Sequence, residues 1–120
     1  MTLKELETQA MSTLTPSCDN LTYALTGLVG EVGEIMELIA KGRRRGELSM
    51  NNDTVVLTTS DEAIAREFAL KVADEAFDAV WFNILICRRF GVPFEEAMAR
   101  GLAKLAHRKQ TNTIDTHTDH

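Results

Sequence analysis

Four acidic residues stand in two pairs, each pair spaced i, i+3: Glu31 and Glu34 in GLVGEVGEIMELIAK, and Glu75 and Asp78 in ADEAFDAVWFNIL. On an α-helix this spacing puts both carboxylates of a pair on one face, with Cβ atoms about 5–6 Å apart. Both segments are otherwise apolar enough to be core helices. Four acids aimed into a helical core repel one another, and some hold their protons. A hard divalent cation removes that conflict. Mg²⁺, with Mn²⁺ as the alternative, takes oxygen ligands and leaves positions open for water and substrate phosphates.

A single i, i+3 acid pair is more often a solvated surface feature than a site. Glu37, Glu62, Glu67, Glu95 and Glu96 are read as such surface charges. The two pairs differ from these in their surroundings. With about 100° per residue, Gly27, Glu31, Glu34 and Leu38 share one sector of their helix, with Gly30 beside it. Lys71, Glu75, Asp78 and Phe82 share a sector of the other. Three interior glycines (Gly27, Gly30, Gly33) each cost a helix roughly 1 kcal/mol against alanine, so close approach by a neighbouring helix or a ligand is expected there.

The elements that must carry these residues can be read from apolar spacing. Leu3, Leu6, Ala10, Met11 and Leu14 predict a first helix over residues 2–14, ended by Pro16. Ser17, Asp19 or Asn20 caps a second helix, expected to run to about residues 39–41 and stop at Gly42. Residues 42–60 break the pattern. The turn chemistry of Asn51-Asn52-Asp53 beside the strand-like TVVLTT predicts a small hairpin or ordered flap. Ser60 or Asp61 starts a long third helix, to about Phe90 and closed by Gly91. Pro93 pre-sets a fourth, to about Lys109, with Glu95 and Glu96 suited to its positive end. The polar residues 110–120 are expected to form a disordered tail. The expectation is one all-α domain over residues 1–109, an antiparallel four-helix-type bundle with a short irregular or hairpin insert.

Composition agrees. The chain has 120 residues, 44% hydrophobic but only 6% aromatic, which suits aliphatic helices better than a β-sandwich. A net charge of −5 argues against a general nucleic-acid surface. Cys18 and Cys87 lie far apart with no metal-ligand spacing, and both are expected to be reduced thiols of a cytoplasmic protein. Lys4, Glu5 and Glu7 interrupt any leader-like pattern, and the run AVWFNILIC is too short to span a bilayer, so no membrane role is expected.

The combination of GLVGEVGEIMELIAK with DEAFDAVWFNIL resembles the metal-binding core of the MazG-like nucleotide pyrophosphohydrolases, in the all-α NTP pyrophosphatase superfamily. The resemblance covers roughly residues 20–41 and 68–109. Glu31 and Glu34 fill that family's first acidic motif, and Glu75 and Asp78 its second. Lys104 and Arg108, in GLAKLAHRK, match its basic C-terminal helix. The chain departs from the pattern at Gly30, where many members carry another Glu, at Gly101, where an Asn is common, and in the longer gap between motifs.

The resemblance implies Mg²⁺-dependent hydrolysis of a (deoxy)nucleoside triphosphate between its α and β phosphorus atoms, releasing monophosphate and pyrophosphate, an activity suited to nucleotide-pool sanitation. It implies Glu31, Glu34, Glu75 and Asp78 as catalytic metal ligands, with Glu31 or Glu34 orienting the water. Lys104, Arg108 and Lys41 would meet the phosphates. Trp81 or Phe82 would stack on the base, against the competing reading of core packing. It also implies a homodimer or homotetramer whose sites can borrow residues from a second subunit.

Two other readings compete with this one. A carboxylate-bridged di-iron bundle supplies Glu-x-x-His from two helices, and no such motif occurs here. A non-catalytic helical-bundle interaction protein, with the acids as a docking face, predicts indifference to divalent ions.

Overall fold

The computed structural model describes residues 1–51 and 53–112. Four helices are joined in order, with a two-stranded sheet between the second and third. Helix α1 (Leu3–Met11) starts in a capping box: Thr2 Oγ1 accepts from the Glu5 N–H at 3.0 Å, and the Glu5 carboxylate accepts from the Thr2 N–H. It ends three residues short of the expected limit, and Pro16–Cys18 forms a separate 3₁₀ turn. Helix α2 (Leu21–Arg44) is capped by Asn20, whose Oδ1 accepts from the Tyr23 N–H at 2.7 Å.

Gly42 was expected to stop α2 and does not. It lies buried inside the helix because Leu48 and Phe68 pack over it; an added Cβ would stand 2.7 Å from Leu48 Cδ2. The chain turns instead at Gly46, at φ 71°. Strand β1 (Leu48–Asn51) then pairs antiparallel with β2 (Thr54–Leu57), Leu48 opposite Leu57. Asp53 takes a left-handed φ of 64° in the turn, which a short polar side chain tolerates. A lone two-stranded hairpin is marginal in water. Thr58 extends this one by a rung, its N–H donating to the Glu47 carbonyl at 2.9 Å, and it is fastened to the end of α2 by the Glu47 N–H donating to the Gly42 carbonyl at 2.9 Å and by Leu48 packing over Gly42.

Helix α3 (Glu62–Arg89) begins at Asp61, whose Oδ1 accepts from the N–H groups of Ala63 and Ile64. It ends before Gly91, at φ 73°. Helix α4 (Phe94–Thr111) follows Pro93 and runs two residues beyond the expected Lys109, closing at a left-handed Asn112. Residues 113–120, with His117 and His120 of the expected tail, lie outside the described residues.

Helices α2 and α3 form the most extensive contact, an antiparallel pair in which Gly27 meets Phe82 and Gly42 meets Phe68. The back of α3 receives the other two helices at one end only. Ala10, Ile84 and Phe94 join α1, α3 and α4 in a small core, with Leu6, Met11, Val80, Trp81 and Cys87 packed around it. Ile84 and Leu85 are fully buried, each stabilising the fold by roughly 1.5–3 kcal/mol. Trp81 Nε1 donates to the Ala10 carbonyl at 2.9 Å and to Thr13 Oγ1 at 3.1 Å. Glu7 of α1 accepts from the Phe94 N–H, supplying the cap that Pro93 cannot. Both cysteines are free, and no described helix is long and apolar enough to cross a membrane.

Candidate metal centre

The register of the α2–α3 pair decides which acids meet. With Gly27 against Phe82 at one end and Gly42 against Phe68 at the other, the middle of the contact falls on Glu31 and Glu34 from α2 and Glu75 from α3. One carboxylate oxygen from each of these three lies within 4.8 Å of the others. Glu31 and Glu75 are half-buried and Glu34 is exposed. Glu31 Oε2 and Glu75 Oε2 are screened from solvent and have no hydrogen-bond partner. Carboxylate oxygens so placed forfeit their hydration with nothing in return.

The electrostatics follow. Contact with the Glu75 carboxyl, and then its charge, push the Glu34 carboxyl above the usual carboxylate range. Glu75 is pushed up chiefly by contact with the Glu31 carboxyl. Desolvation and the charges of Glu31 and Asp78 add to this, against a lowering contact with Glu34. Such a group holds a shared proton or takes up a cation.

Asp78 is the fourth expected ligand and stands apart from the trio. It is exposed, and lines a cleft of about 360 Å³ with Glu31, Thr13, Tyr23, Trp81 and Phe82. The aromatic wall is ordered by ring contacts: Trp81 and Phe82 meet edge-on with centroids 5.2 Å apart, and Tyr23 and Phe82 are tilted at 5.7 Å. Trp81 is half-committed, since its ring N–H is tied to α1 while part of the indole faces the cleft. Tyr23 and Thr13 are cleft residues that spacing did not reveal. Tyr23 lies two turns before Glu31 on α2, which places it on the same side; nothing in the sequence brings Thr13 there.

Gly27 meets the close approach expected of it, because the Phe82 ring occupies the space of a Cβ. Gly30 and Gly33 do not: the space above both is open. The basic residues are also dispersed. Lys41 lines a separate small cavity with Arg45, Glu67, Phe68 and Lys71, beside the hairpin. Lys71 is paired there with Glu67 at 3.1 Å. Lys104 lines an open cleft with Ile86, Cys87 and Phe90. No described α4 residue lines the cleft of Glu31 and Asp78, and Lys104 faces a different one. No family model, curated protein or solved structure matches the chain.

Proposed function

We propose that the chain is a Mg²⁺-dependent nucleoside triphosphate pyrophosphohydrolase. The observation that supports this reading is the trio of Glu31, Glu34 and Glu75, with two screened oxygens lacking any donor. A hard cation bound through carboxylates suits that oxygen set. Glu31, Glu34 and Glu75 would hold it, with Asp78 at the open side. Once bound, the ion supplies charge neutralisation for phosphate oxygens and a more acidic water.

The chain's own groups do the rest. The cleft of Tyr23, Trp81 and Phe82 offers an aromatic wall beside the acids, suited to a nucleobase. Glu34, exposed at the edge of the trio, would orient the attacking water. Lys41 provides positive charge farther along the α2–α3 groove; Lys104, in a different cleft of the same chain, would reach the phosphates only from a second subunit. The resemblance of the acidic motifs to the MazG-like family supports the same reading, including that family's antiparallel four-helix arrangement.

The test is release of pyrophosphate from a panel of NTPs and dNTPs, with Mg²⁺ and with EDTA. Metal-dependent release of pyrophosphate with monophosphate is expected, falling by on the order of a hundredfold or more in Glu34→Gln and Asp78→Asn. No turnover on any nucleotide, with a melting temperature indifferent to Mg²⁺, would leave the non-catalytic interaction protein as the better reading.

A further inference from the structure

The last turns of α3 and the middle of α4 border an open cleft of about 620 Å³, which shares no lining residue with the cleft of Glu31 and Asp78. Ile86, Cys87 and Phe90 form one wall, and Ala97 and Gly101 the other. This lining is apolar, and Phe90 is left 68% exposed. Gly101 is the informative member. A glycine in a helix interior weakens the helix, and no atom of another residue lies within 4 Å of where its Cβ would stand. Packing within the chain therefore does not call for glycine there. Its missing side chain leaves the floor of the cleft deep and the α4 backbone within reach of whatever enters.

Among the described residues, the charged groups that line this cleft are both cations, Arg100 and Lys104. In a chain of net charge −5 that is a local reversal of sign. The two stand four residues apart on α4 and so share a face, and neither has an ion-pair partner among the described residues. The clefts that hold Lys41 and Lys4 differ, since each also holds glutamate. Small-molecule sites are clefts of roughly 300–1,000 Å³, mostly apolar with a few placed polar groups, and this cleft has that size and make-up. A protein partner needs roughly 800 Å² of contact on each side. The α4 wall from Ala97 to Lys104 is only about 10 Å long, too short for that but long enough for an alkyl chain.

We infer that this cleft binds a small amphiphilic anion, a medium-chain fatty carboxylate, with its chain against Ile86, Phe90 and Gly101 and its head at Arg100 and Lys104. A guanidinium suits that head because it pairs with a carboxylate through two parallel N–H bonds. The apolar floor and the unpaired cations are then matched by one ligand. The inference does not rest on the proposed activity.

Decanoate, kept below its micelle concentration, is the probe, and Cys87 in the cleft wall gives the readout. In a Cys18→Ser chain, decanoate is expected to slow alkylation of Cys87 by N-ethylmaleimide in proportion to its occupancy. Calorimetric titration is expected to return the same Kd. 1-Decanol keeps the chain without the charge, and acetate the charge without the chain; each is expected to bind at least about tenfold more weakly. Arg100→Gln is expected to weaken decanoate by about tenfold. Gly101→Leu fills the floor of the cleft and is expected to abolish binding. That variant keeps its helical circular dichroism, because leucine favours a helix over glycine and the space above Gly101 is open. No heat with decanoate, equal affinity for 1-decanol, or undiminished binding in Arg100→Gln or Gly101→Leu would each overturn the inference. So would heat without protection of Cys87, which places the ligand elsewhere, or a Cys87 already shielded without ligand, which means that a second copy of the chain covers the cleft.

Discussion

Glu75 shows why the acid trio is costly without an ion. Its carboxyl touches that of Glu31 and is pushed up in pKa, as is Glu34 beside it. The folded chain thus binds protons at these groups more tightly than the unfolded chain does. Their contribution to stability is present below the ordinary carboxylate pKa and is lost as pH rises through the elevated values. In EDTA, the urea midpoint is expected to fall from mildly acidic to neutral pH, and Glu75→Gln to flatten that slope. Mg²⁺ is expected to restore stability at neutral pH in wild type but not in the variant. The spacing of the acids was legible because i, i+3 on an apolar helix has one geometric meaning. The separation of Asp78 from the trio was not, because which of two same-face acids meets the opposite helix depends on register.

At the scale of elements, the glycines of α2 separate two effects that sequence alone runs together. Gly27 lies under the Phe82 ring, and Gly30 lies under open space. Substitution by alanine improves helix propensity at both sites by roughly 1 kcal/mol. At Gly30 that gain should appear in full as a higher urea midpoint. At Gly27 the new Cβ must displace a ring wedged beside Tyr23 and Trp81, and overpacking typically costs about 1–3 kcal/mol. Gly27→Ala is therefore expected to be neutral to destabilising while Gly30→Ala stabilises. Helix starts were legible from Asn20, Asp61 and Pro93, whose side chains act locally. The end of α2 was misread because Gly42 serves as a seat for Leu48 and Phe68, a contact made by residues the pattern had placed outside the helices.

At the scale of the whole molecule, four helices and a hairpin between the second and third were legible from apolar spacing and turn chemistry. The placing of α4 was not. Its direction is set by Phe94 in the small core and by Glu7 capping its start, and it carries Lys104 to a different cleft from the acids.

Trp81 is the sole tryptophan of the chain. Its indole N–H is bonded to α1, and its ring borders the cleft that holds Glu31 and Asp78. The protein thus carries a built-in optical reporter at the junction of two events. Release of α1 would hydrate the indole and shift its emission to the red. A nucleobase arriving beside it would quench the emission without that shift. One unlabelled fluorescence trace can therefore tell loosening of the fold from filling of the cleft.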